Sequence, residues 1–381
     1  MKVLHLLSGG GIGGIEMLCR DIAQISKEQH EFCFLYSGGV IAEQIQAGGA
    51  PVYFLFQNKL PIRIYKLWKL VKGQKYDVVI VHHEGIGIYA FYLMLTYCFP
   101  KVKYIKYLHC SFEKEYFYQG NRWKDSLNYF MLKKALFRSN CAIAVSEFVK
   151  KSYCKEFDYD AESVKVVYNG IRKQEISEKV QKKVKQDEKI GLLYIGRLVE
   201  VKGIHLLLHA VQKLAEKGED IFLEILGDGP KRADYEQLAK ELHISEIVFF
   251  RGNQLDKQPF FDRTQIFVYP SVWQEAFGIS IVEALAQGMI CVAADVGGIP
   301  EIIEDGKDGF LFRQGDTSSL EDVCSHALLI CRCEKAQDEL ANQAQKKAEI
   351  FNIQKTIADL QEIYKELLVE DCWRQEKSKE S

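Results

Sequence analysis

Two doubly wound α/β units in tandem, each a parallel sheet covered by helices, are what this chain predicts. Three observations carry the prediction. Short runs such as KVLHLL (2–7) and IFLEIL (221–226) are apolar almost throughout, as strands buried on both faces are. Helical stretches alternate with those runs. The alternation halts at a charged run, 172–188, and then restarts, each half opening with an apolar strand that meets glycine. A length of 381 residues suits two domains.

The elements follow in order. KVLHLL (2–7) is a strand, a glycine loop follows, and 15–27 is helical. EFCFLY (31–36), VYFLF (52–56), DVVIVHH (77–83), VKYIKYLH (102–109), CAIAVS (141–146) and VKVVYNG (164–170) are the later strands of a Rossmann-like unit, 1–171. RKQEISEKVQKKVKQDE (172–188) has almost no core-forming position and is expected to be a linker. A second Rossmann-like unit, 189–352, takes strands at 189–196, 221–229, 247–252, 266–271 and 290–295. A helix over 353–369 and a polar, frayed tail over 370–381 complete the chain.

Hydrophobic residues make up 48% and charged residues 27%, which indicates a soluble globular protein. The net charge of −2 is uneven: residues 1–170 hold 22 Lys/Arg and 15 Asp/Glu, the remainder 28 and 37. A basic front half suits an anionic surface or substrate. The eleven cysteines form no CxxC pair or zinc spacing and are expected to be reduced cytosolic thiols. The longest apolar run, near 86–99, falls short of a membrane span and is expected to be a buried helix. The basic amphipathic stretches 59–75 and 122–138 suit either a membrane surface or ordinary lysine-fringed helices. Nothing calls for nucleic acid.

The densest chemistry lies in VYPSVWQEAFGISIVEALAQG (268–288). With a helix from Phe277 onward, Glu275 stands at its mouth and Glu283 about two turns inside. Both carboxylates can accept sugar or ribose hydroxyls. The helix amides favour a phosphate, and Gly278 leaves room for it. In YIGRLVEVKGI, Gly196 opens a strand end, and Arg197 and Lys202 are two cations suited to a diphosphate. His109 ends a strand, where an α/β sheet exposes residues to ligand. His82 and His83 hold a similar place one strand earlier, without a third ligand at metal spacing. The loop SGGGIGGIE satisfies G-x-G-x-x-G at Gly9, Gly11 and Gly14, but the next strand ends in Ser37 and Gly38 where a dinucleotide fold needs an acid. Asp158-Tyr159-Asp160 spells D-x-D in a polar stretch and is expected to be solvated.

Together these motifs resemble the retaining family-4 glycosyltransferases of the GT-B fold, in which two Rossmann-like domains face a cleft. The elements stand in that family's order: the Gly13-Gly14 loop, His109, AVSEF (144–148), NGI (169–171), GRLVEVKG (196–203), LGDGP (226–230), the Glu-x7-Glu segment, and VGGIPEII with DGF. The resemblance spans nearly the whole chain and is most specific over 189–315. One departure is Glu200-Val201 before the lysine.

The resemblance implies roles. Arg197 and Lys202 would hold the donor diphosphate, Glu275 the donor sugar, Glu283 the ribose. Amides of Phe277, Gly278 and Ile279 would meet phosphate and sugar. His109 would touch the sugar near its reacting carbon. Gly252 and Asn253 would border the base. The last helix would cross back to the N-terminal domain. No metal or other cofactor is implied, only a nucleotide-sugar donor, with UDP the commonest. The expected activity is transfer of a hexose or N-acetylhexosamine to a saccharide acceptor, lipid-linked, in capsular or extracellular polysaccharide synthesis. The expected place is the cytoplasm, against the inner membrane face through the basic half. Three alternatives stand beside it: a small soluble acceptor, a nucleotide-sugar epimerase of the same fold, and a non-catalytic partner subunit. The epimerase should lack the glutamate segment and the Arg/Lys pair.

Overall fold

The computed structural model describes residues 1–113, 120–172 and 189–377. The expected linker lies, but for Arg172, outside them. The chain forms two compact units, Met1–Gly170 with Ile353–Ser381, and Ile171–Asn352.

The first unit is a seven-stranded sheet: β1 (Lys2–Leu7), β2 (Gln29–Phe34), β3 (Val52–Phe54), β4 (Val78–Val81), β5 (Lys103–Leu108), β6 (Cys141–Ala144) and β7 (Val164–Val166). The order is β3-β2-β1-β4-β5-β6-β7, every pair parallel. The second holds β8 (Ile190–Ile195), β9 (Ile221–Leu226), β10 (Val248–Gly252), β11 (Ile266–Tyr269), β12 (Ile290–Ala294) and β13 (Phe310–Phe312). Its order is β10-β9-β8-β11-β12-β13, again all parallel. This is the GT-B pair of doubly wound sheets that the sequence predicts.

Strand composition explains the layering. β4 is VVIV and β12 is ICVAA, with every residue buried, so helices must cover both faces. The apolar run near 86–99 is a helix, Ile86–Cys98, with seven buried residues. Two elements differ from expectation. β13 has three residues, too few for a periodic signal, and forms by pairing with β12. The last helix runs Ile353–Lys377, eight residues into the stretch expected to fray. Its first turns belong to the first unit. Thr356 Oγ1 donates to the Tyr168 carbonyl at 2.9 Å, and Gln361 Nε2 to Glu28 at 2.5 Å.

The strand order reverses between β1 and β4, and between β8 and β11. Loops leaving the carboxyl ends of such strands diverge to opposite faces and open a crevice. Those four loops hold Gly13 and Gly14, His82 and His83, Arg197 and Lys202, and Glu275.

Candidate active site

In the second unit, Arg197 and Lys202 follow β8 and Glu275 follows β11. Lys202 ends a 3-10 turn, Glu200–Lys202. Val272 N donates to the Val201 carbonyl at 3.0 Å, and Ser271 Oγ lies 3.2 Å from the same carbonyl. Gly203 permits the approach: at φ 67°, a β-carbon there would overlap the Pro270 carbonyl. The two loops therefore lie together, and their side chains meet. Lys202 Nζ stands 2.7 and 2.9 Å from the Glu275 carboxylate oxygens and 2.8 Å from the Tyr269 hydroxyl. Ser271 Oγ donates to Glu275 Oε1 at 2.5 Å. Burial, then the Glu275 charge, pushes the Tyr269 phenol well up, so it stays protonated.

The loop after β12 supports Glu275 from behind. Gly298 N donates to the Glu275 carbonyl at 2.7 Å, and Gly297 N to Gln274 Oε1 at 2.9 Å. Gly297, at φ 57°, lies so close that any β-carbon would overlap the Glu275 backbone. Arg197 is exposed, and among the described residues its guanidinium has no partner. Gly196, beside it, lies against the Tyr194 ring: a β-carbon there would come 2.6 Å from the Tyr194 hydroxyl.

The helix of the glutamate segment begins at Ile279, with Gly278 as its cap, and ends at Ala286. This corrects the expectation of a start at Phe277. Phe277 is a core residue, 5.5 Å ring to ring from Phe351. Glu283 is thus about one turn inside the helix, not two. It is paired as well: Lys257 Nζ lies 2.5 and 2.7 Å from its oxygens. Lys257 comes from the loop that Gly252 and Asn253 open after β10. The residue assigned to ribose is therefore paired by a lysine of the loop assigned to the base. Lys257 escaped the sequence reading because nothing in DKQPF distinguishes it from a surface lysine.

In the first unit, Gly13 caps the helix Gly14–Ile25 with extended backbone. Glu16, in its first turn, folds back beside Gly13 and pairs with His83 Nε2 at 3.2 Å, while His83 Nδ1 accepts from Ser8 N at 3.2 Å. An anion at this helix end would meet that carboxylate. His109 follows β5, half-buried, 4.3 Å ring to ring over Tyr107. Its Nε2 lies 3.0 Å from His82 Nδ1. His82 is buried, and His5 Nδ1 and Cys19 Sγ lie 2.8 and 3.8 Å from its Nε2. The third neighbour that sequence spacing denied to His82 is thus supplied by β1 and the first helix. Lys106, fully buried on β5, donates to the carbonyls of His83 and Tyr107 at 3.3 and 3.2 Å, and burial pulls its pKa down. Asp158 and Asp160 are exposed; Asp160 caps the turn Ala161–Ser163.

Two family models match adjoining stretches of this chain. "Glycosyltransferase Family 4" matches residues 12–175 and "Glycosyl transferases group 1" matches 175–347. The chain is a family-4 glycosyltransferase. It is similar to the N-acetyl-alpha-D-glucosaminyl L-malate synthase of Bacillus anthracis, 25% identical with 96% of each chain covered. It is also similar to an uncharacterized 41.2 kDa protein in the cps region of Klebsiella pneumoniae, at 27% identity over 74% of this chain and 79% of the other. Among solved structures, Anabaena HepE in complex with UDP and glucose has the same fold, with a TM-score of 0.81, 21% identity, and 96% and 100% coverage. Among the described residues, no helix of the glycosyltransferase is long and apolar enough to cross a membrane.

Proposed function

We propose that this glycosyltransferase moves a hexose or N-acetylhexosamine from a nucleotide sugar, UDP-linked first among candidates, to a hydroxyl of a lipid-linked glycan in capsular or extracellular polysaccharide synthesis. It does so with retention and without a metal. The observation that carries the reading is the Lys202–Glu275 pair with an exposed Arg197 on the same loop. Together they offer two cations for a diphosphate and one carboxylate for sugar hydroxyls. A carboxylate already holding an ammonium and a hydroxyl is a poor nucleophile, which favours front-face displacement over a glycosyl-enzyme. In that step the bond from the anomeric carbon to phosphate oxygen breaks as the acceptor oxygen bonds to the same face. The acceptor proton passes to the departing phosphate, whose charge Arg197 and Lys202 take up. HepE, solved with UDP and with UDP-glucose, supports a uridine donor by likeness of fold.

A stripe on the helix Arg122–Arg138 supports work at the inner membrane face. Trp123 is 89% exposed, and Leu127, Phe130 and Phe137 follow it on one face beside Lys133 and Lys134. The likeness to the B. anthracis malate synthase favours a second reading, a small soluble acceptor. A thermal-shift panel of UDP-, GDP- and ADP-sugars in EDTA, then NMR of products with lipid-linked saccharide or L-malate as acceptor, tests all of this. A shift with a UDP-sugar and a product of unchanged anomeric configuration is expected. An inverted product, or stabilisation only with added metal, would refute the mechanism.

A further inference from the structure

Six side chains form one hydrogen-bonded file in the first unit. Ser26 Oγ donates to Glu28 Oε2 at 2.6 Å and lies 3.0 Å from His30 Nε2. His30 Nδ1 is 2.8 Å from His5 Nε2, His5 Nδ1 is 2.8 Å from His82 Nε2, and His82 Nδ1 is 3.0 Å from His109 Nε2. Strand register builds the file. His30 is level with Val3, two residues before His5. His5 is level with Ile80, two residues before His82. Ile80 is level with Ile105, which places His109 two beyond the position level with His82. Positions two apart share a face. The four rings therefore lie on one diagonal of one face, climbing toward the carboxyl ends of the strands.

A neutral imidazole has one N–H and one lone pair. Burial pulls all four histidines below the ordinary range, His30 to about 4, so each is neutral near pH 7. The file then has two settings, because reversing one ring alone sets two N–H groups or two lone pairs face to face. Its distal end decides between them. Burial raises the Glu28 carboxyl, but hydrogen bonds from Ser26, Gln361 and its own backbone outweigh this and hold it ionised. An ionised carboxylate only accepts, so it takes the one proton of Ser26. Ser26 Oγ must then accept from His30 Nε2–H. Each ring in turn donates from Nε2 and accepts at Nδ1. His109 is left with its proton committed to His82 and a bare Nδ1, which has no partner among the described residues. The reverse setting gives up a charge-assisted bond, a preference of roughly tenfold or more.

We propose that Ser26 and Glu28, acting through His30, His5 and His82, set the tautomer of His109 so that its Nδ1 accepts a hydrogen bond from a hydroxyl of the sugar substrate. The proposal rests on the reading of His109 as a substrate contact; the other five are positioning residues. The convergence of His5, His82 and Cys19 would also suit a metal. However, two histidine ligands at ~2.0–2.1 Å from tetrahedral zinc stand roughly 3.3 Å apart. The separation here, 2.8 Å, fits a shared proton.

The test uses full-length protein labelled with 15N-histidine, with His109 assigned by loss of its signals in His109→Gln. Wild type is expected to show His109 protonated at Nε2 and bare at Nδ1. Ser26→Ala should move both nitrogens toward tautomer-averaged shifts. It should also lower kcat roughly three- to tenfold with little change in donor KM, and Ser26→Thr should restore both. A proton on Nδ1 in wild type, an unchanged pattern in Ser26→Ala, or one tightly held zinc per chain would overturn the relay. A tautomer change with wild-type turnover would leave the relay standing and remove His109 from substrate.

Discussion

The two units use opposite electrostatics at equivalent places in their sheets. At the β8/β11 reversal the second unit sets the ion pair Lys202–Glu275 on loops, and a second pair, Lys257–Glu283, joins the loop after β10 to the glutamate helix. At the β1/β4 reversal the first unit threads uncharged imidazoles through its core toward one half-buried ring. The difference follows from solvent access. Side chains keep 13–26% of their surface in the second unit's pairs, and charge survives there. His5 and His82 keep almost none, and desolvation discharges them. Charged pairs can exchange partners with an anionic donor. A neutral file can only orient what it touches.

That contrast can be broken most forcefully in the second unit. Lys202→Ala or Arg197→Ala should lower turnover by ~10²-fold or more. Lys202→Ala also strands the Glu275 carboxylate, at about 1–3 kcal/mol of stability, whereas Arg197→Ala, with no partner to strand among the described residues, should leave Tm unchanged. Steady-state kinetics beside thermal melts separate the two, and wild-type rates in both variants would take them out of the mechanism.

The next effect belongs to the first unit. His30 is held at about 4, below its ordinary value of roughly 6.5. The unfolded chain therefore takes up protons below pH 6.5 that the folded chain refuses. Stability is complete above pH 6.5 and falls as pH drops toward 4, by up to about 3 kcal/mol from His30 alone. His5, His82 and His109 act with the same sign. Urea titrations across this range should show the slope, and His30→Gln should flatten it. A level profile from pH 7 to 4.5 would contradict neutral burial.

The smallest effect is expected at Asp158 and Asp160. Asp160→Asn keeps the capping oxygen that accepts from Glu162 N, and should match wild-type activity both with and without EDTA, with stability within about 0.5 kcal/mol. Loss of turnover would make the D-x-D a working site after all.

Legibility followed range. Apolar strands broken by glycine, the Glu275-x7-Glu283 spacing and the Arg197/Lys202 pair are local patterns, so they were visible in the chain, and the family with them. The start of the glutamate helix was misplaced by two residues because burial of Phe277 against Phe351, a contact across the second unit, sets it.

What the chain alone determined was therefore two doubly wound sheets and the side chains lining their carboxyl ends, since strand period, helix period and turn chemistry are written within a few residues. Only the tertiary structure decided which of those side chains pair. Lys202 finds Glu275 across 73 residues, Lys257 finds Glu283 across 26, and His5 finds His82 across 77. Parallel register and the reversal of strand order bring such partners together, and neither is encoded at any single stretch of sequence.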